Sequence, residues 1–109
     1  MSAFQILGGE DYVPFITDIS VKNLGQIVTI ECTGDPQKEL DYRVICSGCE
    51  KVEINFHKER TNFIHADGSI EVVEFSTREE SDNKRFVYLY ARVVLLEFIC
   101  ESIKVEKDW

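Results

Sequence analysis

Residues 86 to 100, FVYLYARVVLLEFIC, form a nearly apolar run that carries only two charges, Arg92 and Glu97. The run is shorter than the roughly 20 residues a membrane-spanning helix needs. Laid out as one strand at about 3.3 Å per residue it would reach about 50 Å, too far for so small a domain. The chain must therefore bend within it, near Ala91-Arg92, although no Gly, Pro or Asn marks the place. A short helix over residues 90 to 98 competes with this reading, but the β-branched pair Val93-Val94 favours two strands.

Elsewhere the chain alternates with a period of two, and Val, Ile, Phe and Tyr gather where it does so, which predicts strands with one buried face. In ITDISVKN, Ile19 and Val21 share a side against Asp18, Ser20 and Lys22, and Leu24-Gly25 then turns the chain. QIVTIEC groups Val28, Ile30 and Cys32. Pro36 in GDPQ, residues 34 to 37, marks the next turn because its ring fixes φ and it has no N–H for a ladder. LDYRVIC sets Leu40, Tyr42, Val44 and Cys46 against Asp41, Arg43 and Ile45, and KVEINFH sets Val52, Ile54 and Phe56 against Glu53, Asn55 and His57. Asp67-Gly68, between NFIHA and SIEVVEF, predicts a tight hairpin, since Asp-Gly readily takes the positive φ of a primed turn. REESDNKR, residues 78 to 85, is the most polar stretch and reads as an exposed loop. SIKVEK ends the pattern with Ile103 and Val105 alternating with charge. The result is one all-β domain over residues 1–109, an antiparallel meander forming a small sandwich or open barrel with at most one short helix.

A chain of 109 residues buries roughly two-thirds of its unfolded surface, enough for one core without staples. Twenty acidic against twelve basic residues give a formal charge of −8, with Lys and Arg scattered along the chain. That balance repels phosphate backbones, excludes nucleic acid as a partner and favours a basic protein instead. The opening MSAFQILGGEDYVPF has neither a basic start nor an apolar run of signal length, and no membrane partner is expected. A cytoplasmic protein with its four cysteines reduced follows.

Cys46 and Cys49, in CSGC, are the first candidates for chemistry. A structural zinc site needs four soft or borderline ligands in a tetrahedron, and the available histidines, His57 and His65, complete only a Cys-x2-Cys-x7-His-x7-His pattern unlike zinc-module spacings. His57 also alternates onto the polar side with Glu53 and Asn55, so no metal is expected. A thioredoxin-like pair needs its first cysteine at a helix N-terminus, yet a strand pattern follows. CSGC therefore reads as a turn in which Gly48 lets the chain reverse, with Cys32 and Cys100 as small core residues. No nucleophile elbow accompanies the two histidines, and Gly8-Gly9 lacks the residues of a phosphate loop. No catalytic residue and no cofactor are assigned.

Partner contacts are the remaining class. Tyr12 and Trp109 are candidate exposed aromatic anchors, and the acidic pair Glu79-Glu80 is a candidate contact that reads equally as a solvated face. Ile45, Val73, Val87 and Leu89 fall on the opposite parity from their strands' main apolar sets. Some strands are thus apolar on both faces, which requires burial on two sides or an interface, and self-association stays open.

The order YVPFITDISV, then DYRVICSGCEKVEI, then RFVYLYARVVLLEFICESIKVEK resembles a family of small β-rich bacterial immunity-type proteins of polymorphic toxin systems. Its members carry an aromatic-Pro-Phe stretch before an Asp and the first strand, and end on an apolar strand, a Cys-x-Ser-Ile-like corner and a final Val. This chain departs from them at Thr17-Asp18, where the family has His-Asp, and near Ala91, where it has Gly. The resemblance implies a non-enzymatic inhibitor of a cognate toxin. From the residues themselves, the first reading is a small non-enzymatic protein-binding domain. A small β-barrel enzyme or ligand-binding domain with an internal pocket, and a subunit of a larger assembly, stand as alternatives.

Overall fold

The structure is a computed structural model and describes residues 15–33 and 41–107. The turn expected at residues 34 to 37, Leu40, Tyr12 and Trp109 lie outside the described residues. Nine strands follow one another: β1 (Phe15–Lys22), β2 (Ile27–Thr33), β3 (Asp41–Ser47), β4 (Glu50–Phe56), β5 (Ile70–Glu71), β6 (Glu74–Ser81), β7 (Lys84–Ala91), β8 (Val94–Cys100) and β9 (Ser102–Lys107). One short 3-10 helix, Lys58–Phe63, lies between β4 and β5. The fold is an antiparallel all-β sandwich of two sheets, ordered β5-β1-β2-β3-β9 and β4-β8-β7-β6. Each sheet contains one three-strand meander, β1-β2-β3 or β6-β7-β8, and the expected antiparallel meander takes the form of a sandwich.

Alternation explains the core. Val28, Ile30 and Cys32 of β2 and Tyr42, Val44 and Cys46 of β3 turn inward, as do Val87, Leu89 and Ala91 of β7 and Leu96, Phe98 and Cys100 of β8. All are buried in one cluster that both sheets share, and a large apolar side chain buried this way contributes about 1.5–3 kcal/mol. Ile103 and Val105 pack against the cluster from β9. Val21 shares the inward side with Ile19 but remains 41% exposed at the end of β1. Val52 and Ile54 reach the core only partly, and Phe56 is 65% exposed, because β4 is an edge strand.

The apolar run bends where expected: Arg92-Val93 joins β7 to β8, with Ala91 opposite Val94 and Arg92 at φ 51°. Both halves are strands, and the helical reading of residues 90 to 98 is set aside. Four other expectations are corrected. Residues 78 to 85 are no loop but the far half of the β6–β7 hairpin, where Glu79 pairs with Arg85 and Ser81 with Lys84; the strands are polar there because they project past the core. Asp67-Gly68 does form a tight turn, in which Gly68 has φ +88° and Asp67 Oδ1 accepts bonds from the Ser69 N–H and hydroxyl at 2.9 and 2.6 Å. It leads out of the 3-10 helix into β5, which pairs with β1, so NFIHA and SIEVVEF are not hairpin partners.

CSGC does not reverse the chain; it carries it from one sheet into the other. β3 continues across Gly48 into β4, and alongside it β8 continues across Glu101 into β9. The two bent strands stay paired through the crossing: Ser47 opposes Ser102, Glu50 opposes Ile99, and the Glu101 N–H donates to the Ser47 carbonyl at 3.0 Å. Corners of this kind let a strand serve two sheets. Gly48 is needed twice over, because its φ is +66° and a Cβ there would stand 2.8–3.0 Å from the Glu101 side chain. Finally, in β7 the inward set is Val87, Leu89 and Ala91, so the aromatic set Phe86, Tyr88 and Tyr90 faces outward.

Candidate functional site

The sequence candidates do not converge. His57 lies 3.7 Å from Glu59 beside the 3-10 helix, while His65 packs edge-on against Phe15 with ring centroids 5.5 Å apart. Glu79 sits on the hairpin beyond the core and lines an open polar cleft of about 380 Å³ with Ser81, Asn83, Lys84, Arg85 and Glu101. Glu80 is 3.7 Å from Arg78.

The cysteines do meet, though not as the spacing implied. Cys100, far from CSGC in sequence, lies against Cys46, and Cys49 donates its S–H to the Cys46 carbonyl at 3.2 Å. All four thiols are free and buried. The hydrogen bond with Cys100, and then burial, push the Cys46 thiol upward; the same bond, helped by Arg85, lowers that of Cys100. Burial pushes Cys49 up to about 11 and Cys32 up to about 12. The raised thiols, Cys32, Cys46 and Cys49, are protonated at neutral pH and make poor nucleophiles. Among the described residues no three His, Cys, Asp or Glu side chains are placed to hold a metal ion.

The arrangement that stands out is the outer face of the β4-β8-β7-β6 sheet. Its axis is the column Phe86, Tyr88 and Tyr90 on β7, each half-buried, beside Leu95 and Ile99 of β8. Strand register places the neighbours in rows. Arg78 faces Phe86; Ser76 faces Tyr88, which faces Glu97, which faces Glu53; Glu74 faces Tyr90. Both ends of the column hold an arginine. The Arg78 guanidinium stacks over the Phe86 ring at 4.5 Å, and Arg60 Nη1 donates to the Tyr90 hydroxyl at 2.6 Å. Lys84, at the hairpin end of β7, pairs with Glu50 at 3.1 Å. Glu53, Glu74 and Glu97 have no ion pair among the described residues. Desolvation, and then the charges of Glu74 and Glu97, push the Tyr88 hydroxyl above its ordinary value.

These residues escaped the reading of candidate sites, although a signal was present. FVYLYA alternates aromatic against aliphatic, and either set could have faced the core; the aliphatic set does. The two-faced apolarity noted for Val87 and Leu89 is the mark of this surface.

No protein-family profile matches the chain, and no curated protein sequence matches it. The fold is similar to that in the crystal structure of an uncharacterized protein from Neisseria gonorrhoeae, with a TM-score of 0.52 and 13% identity over 87% of this chain and 91% of the other. At that identity the likeness extends to the fold.

Proposed function

We propose that the chain is a non-enzymatic, cytoplasmic protein-binding domain whose partner is a basic protein, most concretely an immunity-type inhibitor of a bacterial toxin. The observation that carries this reading is a core packed with apolar side chains from both sheets, combined with a formal charge of −8 and a sheet face with unmatched carboxylates. A field of that sign speeds encounter with cationic partners. Four free cysteines accord with a reducing compartment. The resemblance of the YVPFITDISV, DYRVICSGCEKVEI and C-terminal segments to immunity-type proteins supplies the inhibitor as the concrete form.

The test is a pull-down from the native cytoplasm at low and at high salt, followed by association kinetics for the retained protein. The expected result is a specific basic partner whose on-rate falls steeply as ionic strength rises. Retention of only a neutral small metabolite would overturn the reading.

A further inference from the structure

We infer that the outer face of β4, β8, β7 and β6 is the docking surface, and that it receives an arginine or lysine side chain of a basic partner protein over Tyr88, between Glu97 and Glu74, with Glu53 one strand beyond Glu97. The inference rests on the proposed function above and gives it a location.

Three observations converge on Tyr88. The first is chemical precedent within the molecule, since the aromatic groups on either side of Tyr88 already engage cations of this chain: Arg78 lies over Phe86 at 4.5 Å and Arg60 bonds the Tyr90 hydroxyl at 2.6 Å. The column is therefore competent to hold guanidinium groups, by the attraction of a ring's negative face for a cation and by hydrogen bonding. Its middle ring holds none of the described cations. The second is charge. Arg78 lies near Glu80, and Lys84 near Glu50. The row through Tyr88 contributes Glu97 and Glu53, directly paired across β8 and β4, with Glu74 one step along β6 beside Tyr90. Glu97 and Glu74 thus flank the ring on either side, with Glu53 one strand beyond Glu97, and none of the three has an ion pair among the described residues. The third is apolar area: Leu95 and Ile99 flank the ring on β8. Of the two, the half-buried Leu95 offers the aliphatic stem of a long basic side chain a surface to lie on while its charged head reaches the carboxylates, and Ile99 is buried beside it.

A cation over Tyr88 would complete the series that Arg78 and Arg60 begin. It would be desolvated on one side by the ring and paired on the other with Glu97 and Glu53. The arrangement discriminates against anionic and neutral occupants, and it favours arginine over lysine because a planar guanidinium can stack on the ring and still bond a carboxylate in its own plane.

The probe is a hexa-arginine peptide titrated into the isotopically labelled full chain, with amide chemical shifts followed by NMR. The largest shifts are expected at Ser76, Tyr88, Glu97 and Glu53, with saturation. Tyr88→Leu, which keeps an apolar side chain but removes the ring, and Glu97→Gln should each weaken binding at least about fivefold, and hexa-lysine should bind more weakly than hexa-arginine. Glu79→Gln with Glu80→Gln removes more charge from the hairpin end and should change the affinity less than about twofold. Unchanged circular dichroism would show that Tyr88→Leu remains folded, and Glu97→Gln carries the test independently of it. Shifts spread over all acidic regions, or equal losses from the Glu79 and Glu80 substitutions, would overturn the docking site. The native pull-down separates this failure from that of the proposed function. A basic partner retained equally by Tyr88→Leu and Glu97→Gln would sink the site and leave the function standing. Saturable peptide binding at Tyr88 with no basic protein retained would do the reverse.

Discussion

The two sheets turn similar inner faces to one core but present opposite outer faces. On the sheet containing β2, β3 and β9, the central outward residues form a balanced chain of charge: Glu31 meets Arg43 at 3.5 Å, Arg43 meets Glu106 at 3.8 Å, and Lys104 meets Glu106 at 3.4 Å. Two acids and two bases cancel there, on side chains open to water. On the other sheet the equivalent positions are Phe86, Tyr88, Tyr90, Leu95 and Ile99, with Glu53, Glu74 and Glu97 unmatched. A solvated face needs no apolar side chains, because polar groups there already satisfy water. Half-buried aromatic rings beside unpaired charge match the composition of an interface core and rim, which is the basis of the docking surface proposed above. The contrast is the ground for placing the proposed docking surface on one side of the sandwich and not the other.

The largest effect should come from the corner that both faces share. Gly48→Ala imposes a side chain at φ +66° and drives it into Glu101, including the Cβ, which no side-chain rotation can move. Each sheet depends on this crossing, so the expected loss is about 2–4 kcal/mol, seen as a lower midpoint in urea. Glu101→Ala in the same chain should recover part of the loss, because it removes the Cγ and Cδ contacts but leaves the left-handed backbone. Full recovery would show that the Cγ and Cδ contacts alone require glycine; no recovery would show that the backbone and the remaining Cβ contact at 3.0 Å do. Either result would sharpen how rigidly the two outer faces are held relative to each other.

That corner also marks where sequence reading stopped. The inner alternations Val28-Ile30-Cys32 and Tyr42-Val44-Cys46 were legible because one face of each strand is wet, so the period survives. The bend at Ala91-Arg92 was legible from length alone. CSGC announced a change of direction, but whether the chain returns along its own sheet or passes into a second depends on pairing with β8 and β9 on either side of Glu101, more than fifty positions away. The approach of Cys100 to Cys46 was hidden for the same reason. In β7 both parities are apolar, so alternation could not say which set packs inward, and the face bearing Tyr88 stayed concealed behind that ambiguity. Asp67-Gly68 and residues 78 to 85 fail differently. Turn chemistry reports a turn without naming what flanks it, and strands that extend past a core need no apolar residues to remain paired.

A smaller effect is expected from the thiols. Cys32 and Cys49 are raised from 9.0 to about 12 and about 11, so the folded state holds their protons more tightly than the unfolded state does. Their contribution is complete below pH 9 and is lost as pH rises through 9 toward 11 and 12, where the unfolded chain gains from ionising and the folded chain does not. Melting temperatures recorded from pH 8 to 11 should fall more steeply for the native chain than for Cys32→Ala with Cys49→Ala, once each curve is referred to its own value at pH 8. Parallel curves would mean that these thiols ionise as readily in the fold as outside it. Because both cysteines belong to the core and its corner, the loss should leave the contrast between the two outer faces unchanged at neutral pH.

The smallest effect should come from the balanced face, and it tests the comparison most directly. Arg43→Met retains a stem that can lie on the sheet while removing the guanidinium that links Glu31 to Glu106. Exposed pairs of this type contribute about 0.2–1 kcal/mol, since water screens the charges and ordering two long side chains costs entropy. The variant should therefore lose less than about 1 kcal/mol, and the loss should shrink further at 1 M salt, where the screening length falls to about 3 Å. Its affinity for the arginine peptide should remain within about twofold of the native chain, because the two carboxylates it exposes lie on the sheet opposite Tyr88. If Arg43→Met instead strengthened peptide binding as much as Glu97→Gln weakens it, unpaired carboxylates anywhere on the surface would suffice. The aromatic column would then lose its claim to set one face apart from the other.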